Sequence, residues 1–201
     1  MADKGFINNY FSEMQNVIRD ISRSDIQKVI DTLFEAWRKG RKVFLIGNGG
    51  SASTATHFAS DLNKTAVVAG KPRFKAMALV DNIPWCSALV NDEGFENLFV
   101  EQLKNFFEKG DLVIGISVHG GSGEDKAGPW SQNLLKAMKY AQDNGGKAVG
   151  LCGFDGGAMK KMADACVVVP FPSTPQVESF HVVLQHLIVN CLKKKIEEAH
   201  E

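Results

Sequence analysis

His57 and Asp61 stand four residues apart in Ser51–Asn63, a stretch that reads as a helix. That spacing puts an imidazole and a carboxylate on one helical face, close enough to share a metal ion or a proton, though an isolated pair of this kind is more often a surface ion pair. Near the carboxyl end, Glu178, His181 and His186 fall in another helical run, about Gln176 to Ala199, with Val177, Phe180, Leu184, Leu187 and Cys191 as its apolar stripe. Glu178 and His186 lie about 80° apart on a wheel of 100° per residue, so they can address one cavity without forming a tight pair. Taken singly, each of these side chains also fits a solvated or hydrogen-bonded role.

Two glycine-rich turns offer a different chemistry. Val43-Phe44-Leu45-Ile46 runs into Gly47-Asn48-Gly49-Gly50-Ser51 and then into the helix that carries His57. Glycines permit the tight turn, and the helix amino end presents unpaired amides and a positive dipole to an anion. Ser51 can donate its hydroxyl to a phosphate, cap the helix, or do both. No Gly-Lys-Ser/Thr follows, so this is not a Walker loop, and the spacing does not fit GxGxxG. The second turn, Ser117-Val118-His119-Gly120-Gly121-Ser122, ends the apolar run Leu112–Ile116. In one open sheet, two such turns would face the same crevice.

The elements that must position these groups alternate. Apolar β-rich runs occur at Val43–Ile46, Ala76–Val80, Leu112–Ile116, Ala148–Cys152 and Ala165–Val169. Helical runs at Ser51–Asn63, Phe95–Phe107, Ser131–Asp143 and Ala158–Ala163 separate most of them, and two helices lead, Ile7–Ile21 and Asp25–Arg38. Ser24 is placed to cap the second and Lys39-Gly40 to stop it. Continuous apolar strands between helices predict an α/β fold, a doubly wound, five-stranded parallel sheet with ligand loops at the strand carboxyl ends. The 201 residues suit a single domain over 1–201, with helices in 3–39 and 176–199 packing on it.

Lysine plus arginine equals aspartate plus glutamate at 23 each, a balance unlike the basic surface of a general nucleic-acid binder. No apolar stretch approaches the ~18 residues of a membrane span, and Met1-Ala2-Asp3-Lys4-Gly5 lacks the layout of a signal peptide, so a cytoplasmic location is expected. Cys86, Cys152, Cys166 and Cys191 form no CxxC pair; three lie in apolar runs and read as reduced core residues.

Gly47-Asn48-Gly49-Gly50-Ser51, His57-Phe58-Ala59, Asn91-Asp92, Gly115-Ile116-Ser117, Gly153-Phe154-Asp155-Gly156-Gly157 and the final helix with His186 together resemble the sugar isomerase (SIS) domain family, most closely phosphoheptose isomerases. The likeness spans nearly the whole chain in order. It implies a ketose-to-aldose isomerase, sedoheptulose 7-phosphate giving the heptose 7-phosphate, in homotetramers with sites between subunits and often zinc. By the resemblance Asn48, Gly49, Gly50, Ser51, Asn91 and Asp92 contact the sugar phosphate. Ser117, Val118 and His119 hold the phosphate, with Ser122 in the same loop and Ser131 helping from the next helix start. His57, Asp61, Glu178 and His186 form the metal set, Asp61 and Glu178 also facing substrate, while Asp61 and His186 are the acid/base pair.

Three departures mark this chain. Asp61 and Glu178 stand where such enzymes usually have glutamate and glutamine, and Ser117-Val118-His119-Gly120 replaces a Ser-Thr-Ser-Gly loop. These leave open an isomerase of another phosphosugar, or a non-catalytic SIS protein that binds a sugar phosphate or a protein partner. Convergence of the four side chains on one cavity would favour an enzyme. The long glycine-rich stretch Gly120–Trp130 is expected to cover the active site. The leading helix, with Phe6, Ile7, Phe11, Met14, Ile18 and Ile21, shows more apolar surface than a solvent-exposed arm should carry.

Overall fold

In the strands, residues of alternate parity must be apolar on opposite faces, because both faces of a parallel sheet are covered. The structure, a computed structural model, describes residues 4–121 and 131–199. Its five strands among these residues are β1 (Lys42–Gly47), β2 (Lys75–Ala78), β3 (Leu112–Ser117), β4 (Lys147–Gly153) and β5 (Ala165–Val169). All neighbours pair in parallel, in the order β2-β1-β3-β4-β5. The register sets Val43 beside Leu112 and Leu45 beside Ile114 on one face, and Phe44 beside Val113 on the other.

The helices are α1 (Lys4–Asp20), α2 (Arg23–Arg38), α3 (Gly50–Lys64), α4 (Ile83–Glu93), α5 (Leu98–Phe106), α6 (Gln132–Asp143), α7 (Gly157–Met162) and α8 (Thr174–Glu198). Residues of α2, α3 and α8 pack with Val43, Leu45, Ile114, Leu151 and Val167 into one core. Those of α5, α6 and α7 pack with Phe44, Ile46, Val113, Ala148 and Cys152 into the other. The strand order reverses between β1 and β3, so the crevice outside the carboxyl ends of these two strands is where such a sheet receives a ligand.

Local details depart from the sequence reading in three places. The cap of α2 is Ser22 rather than Ser24: Ser22 Oγ accepts from the Asp25 amide at 3.2 Å, while the Ser24 hydroxyl turns to Ser22 Oγ at 3.0 Å. The stop at Lys39-Gly40 is as expected, with Gly40 at φ 63°. Second, the stretch leading to Asn91, to which the sequence reading assigns no element, is a helix, α4, started by Asn82, whose side chain accepts from the Trp85 amide at 3.2 Å. None of its residues is buried, so it lacks the one-sided apolar stripe that would have announced it. Third, α1 reaches the core only near its end: Val17 is its buried residue, with Ile21 following, while Phe6 and Phe11 remain 72% and 64% exposed. The Ser122 and Gly123–Trp130 part of the expected cover lies outside the described residues.

Candidate functional site

β1 ends at Gly47, and the chain turns through Asn48 and Gly49 to begin α3 at Gly50. Gly49 takes φ 56° in the turn and no side chain caps the helix. Across the crevice, β3 ends at Ser117, and Ser131 begins α6 with its hydroxyl 3.4 Å from that of Ser117. Between them lies a cavity of about 150 Å³ lined by Asn48, Ser51, Ser117, Val118, His119, Gly121, Ser131, Glu178 and the apolar Ile116 and Leu134. Three hydroxyls, an amide and an imidazole over three apolar side chains give this hollow the donors an oxyanion needs. The His119 ring leans on Phe154, centroids 4.2 Å apart.

One residue behind this wall carries no motif. Asn133, 1% exposed, faces Asn48 in a reciprocal amide pair: Asn48 Nδ2 donates to Asn133 Oδ1 at 3.0 Å, and Asn133 Nδ2 donates to Asn48 Oδ1 at 2.9 Å. The pair ties the β1 turn to the start of α6 and fixes the amide at the cavity edge. Its only trace in the sequence is a polar residue at a helix position that the core needs apolar.

Seven and eleven residues after α3 begins at Gly50, or about two and three turns, the second cluster forms. His57 Nε2 and His186 Nε2 each stand 3.5 Å from Asp61 Oδ2, and the two imidazole nitrogens are 3.4 Å apart. The rings meet edge to face at 76°. Asp61 Oδ1 accepts from the Thr65 hydroxyl at 3.0 Å, whereas the buried Oδ2 has no hydrogen bond. Three atoms at these separations match the edges of a tetrahedron, about 3.4 Å, around an ion bound at about 2.1 Å. The cluster can therefore hold a divalent metal, and the unpaired Asp61 Oδ2 is an atom such an ion would satisfy.

Glu178 is not one of the three converging atoms. It sits at the start of α8 against Gly50, where a Cβ would come 2.6 Å from its Oε1; glycine is what lets the carboxylate approach. Glu178 lines the hydroxyl-rich cavity and also a shallower one that includes His57, so it stands between the two groups. Helices α3 and α8 run side by side in the same direction, Gly50 beside Glu178 at one end and His57 beside His186 at the other. Asn91 and Asp92 are elsewhere: both are exposed on α4, the Asn91 amide donating to Asp92 at 2.6 Å.

Residues 9–153 match the family described as SIS domain. A phosphoheptose isomerase of Nitratiruptor is 38% identical over 165 residues, 79% of each chain. The chain belongs to the SIS-domain phosphoheptose isomerase family. The lincomycin biosynthesis protein LmbN of Streptomyces lincolnensis is 36% identical over 186 residues, 90% of this chain but 66% of that protein's length. Among solved structures, the phosphoheptose isomerase of Neisseria gonorrhoeae superposes with a TM-score of 0.83 at 25% identity, covering 95% of this chain and 98% of that one. Within this family framework, the other histidine of α8 is structural: His181 is fully buried, its ring nitrogens have no hydrogen-bond partner, and burial pushes its pKa down to about 4.

Proposed function

We propose that this chain is an aldose–ketose isomerase acting on a sugar phosphate, sedoheptulose 7-phosphate to D-glycero-D-manno-heptose 7-phosphate. The observation that carries the reading is the alignment of two groups along α3 and α8, a hydroxyl-rich hollow at their amino ends and the His57–Asp61–His186 cluster downstream. Family membership supports the same chemistry.

In this reading the phosphate sits among Ser117, Val118, His119, Ser131 and the Asn48–Ser51 turn, with Ser122 from the following loop. Asp61 takes a proton from C1 of the ketose; the electron pair left behind forms the C1–C2 double bond of an enediolate. His186, whose Nε2 lies 3.5 Å from the Asp61 carboxylate, moves the proton between the two substrate oxygens, and protonation at C2 gives the aldose. His57, Asp61 and His186, with Glu178 from the adjoining wall, would hold a divalent ion, zinc by its liking for imidazole and carboxylate. Such an ion supplies Lewis-acid polarisation of the carbonyl.

The same proposal includes one SIS domain over 1–201, a cytoplasmic setting and a homotetramer. No helix among the described residues is long and apolar enough to cross a membrane. Exposed apolar side chains on α1 (Phe6, Ile7, Phe11), α4 (Ile83, Val90) and α8 (Val183, Leu187) support burial between subunits. Asn91 and Asp92, on that exposed α4, would then reach the substrate of a neighbouring copy. The test is incubation of the metal-loaded protein with sedoheptulose 7-phosphate, following aldose formation by NMR, with and without chelator. No conversion of this or other ketose phosphates would overturn the reading.

A further inference from the structure

On the opposite side of β4 from α8, two thiols meet. Cys152 lies on β4 and Cys166 on β5, and the register puts Cys166 opposite Gly150 and Cys152 opposite Val168, a diagonal pair on one face of the sheet. Side chains two positions apart on neighbouring strands are within reach only if one leans along the strand. Cys166 does so over Gly150, where a Cβ would stand 2.7 Å from its sulfur. The two Sγ atoms are 3.3 Å apart, and both thiols point at the Val167 carbonyl, at 3.7 Å from Cys152 and 3.9 Å from Cys166. Cys152 is wholly buried, whereas Cys166 is only partly so.

We propose that Cys152 and Cys166 are an oxidation site, which hydrogen peroxide converts to a reversible intramolecular disulfide that loosens the loop wall beside the hydroxyl-rich cavity. The order of events follows from access. The part-exposed Cys166 sulfur attacks the peroxide, breaking its O–O bond and becoming a sulfenic acid as water leaves. The Cys152 sulfur then attacks the sulfenic sulfur, its own proton departs with the hydroxyl as a second water, and the S–S bond forms. Two thiols are oxidised and one peroxide is reduced. Cys152 is a poor first nucleophile: its hydrogen bond with Cys166, and burial, hold its pKa far above the ordinary thiol range.

A disulfide of about 2.05 Å requires the sulfurs to close by roughly 1.2 Å, and because they sit on a diagonal, part of that closure falls on the backbone. The residue after Cys152 is where the backbone is tied to the cavity. The Gly153 amide donates to Val118 O at 2.9 Å, and the Met159 amide at the start of α7 donates to Gly120 O at 2.8 Å. Val118 and Gly121 line the cavity, so these two bonds brace its wall.

The experiment uses the full chain with Cys86→Ser and Cys191→Ser, leaving only the pair. Folded protein is treated with hydrogen peroxide, blocked with N-ethylmaleimide and read by intact mass and peptide mapping. Both thiols should disappear together with a mass loss of two hydrogens, a linked Cys152–Cys166 peptide should appear, and dithiothreitol should restore both. Cys152→Ser should instead trap Cys166 as a sulfenic acid that dimedone labels. Amide hydrogen exchange should rise by about tenfold at Gly153 and Met159 in the oxidised protein. Over-oxidation of Cys166 with Cys152 still alkylatable would overturn the site, as would linkage that forms no faster in folded protein than in urea. A disulfide without faster exchange at those amides would overturn the coupling to the cavity wall. Neither readout depends on isomerase activity, so failure here and failure of the proposed function are separable.

Discussion

Acidification should unfold this protein partly through one side chain, His181. Its ring is fully buried on the α8 side of the sheet and neither nitrogen has a hydrogen bond; its approach to the Cys152 backbone only partly offsets burial, and the pKa falls from 6.5 to about 4. The folded value lies below the unfolded one, so the unfolded chain takes up the proton more readily. Stability is therefore intact above about pH 6.5, falls as the pH drops toward 4, and loses nothing further from this group below that. The loss works out at about 2 kcal/mol at pH 5 and about 3 kcal/mol at pH 4. His181→Leu removes the titration while keeping an apolar side chain in the site, and at pH 7 it should cost little, since no hydrogen bond is broken. Urea unfolding of both proteins at pH 7 and pH 5 is the assay. Asp31, held low by its bond to Lys195, and Glu35, held at about 2 by Lys39 and Arg38, titrate alike in both and cancel. A variant whose stability falls with pH as steeply as the parent's would refute the reasoning.

Other perturbations separate the parts of the site. Asp61→Asn should lower turnover by about 10²–10⁴-fold, the usual loss for an acid/base group, while phosphate affinity measured by calorimetry stays within a few-fold. His57→Ala should reduce zinc retained through dialysis, measured by elemental analysis, before it alters folding seen by circular dichroism. Gly50→Ala would drive a methyl group to 2.6 Å from Glu178 Oε1, so Glu178 must move; a raised KM with near-normal melting temperature is expected. Asn133→Leu leaves the Asn48 amide without its two partners and should destabilise by about 1–3 kcal/mol, measured by urea unfolding.

The sheet was legible because strands such as Leu112–Ser117 are buried at every position and so are written as unbroken apolar runs. Glycine turns after β1 and β3 marked the crevice end of the sheet, where the backbone turns sharply from strand to helix. What remained out of reach depended on packing between distant segments. Spacing alone brings His57 to Asp61, but only the α3–α8 contact brings His186, and it leaves Glu178 beside Gly50 instead of in the three-atom cluster. Asn133 needed the α6 position relative to β1, and the Cys152–Cys166 contact needed the β4–β5 register, since fourteen residues separate the two thiols in the chain.

The parallel course of α3 and α8 makes the site a ruler. Each residue of an α-helix advances about 1.5 Å, so Ser51 to His57 covers about 9 Å and Glu178 to His186 about 12 Å. Neither length can be altered by turning a side chain, because the two helices are fastened to the same sheet. On the proposed reading, a ligand held by its anion at one end presents its far carbons to the imidazoles at a distance fixed by residue count, and a chain several carbons shorter would bind at one mark or the other without spanning both.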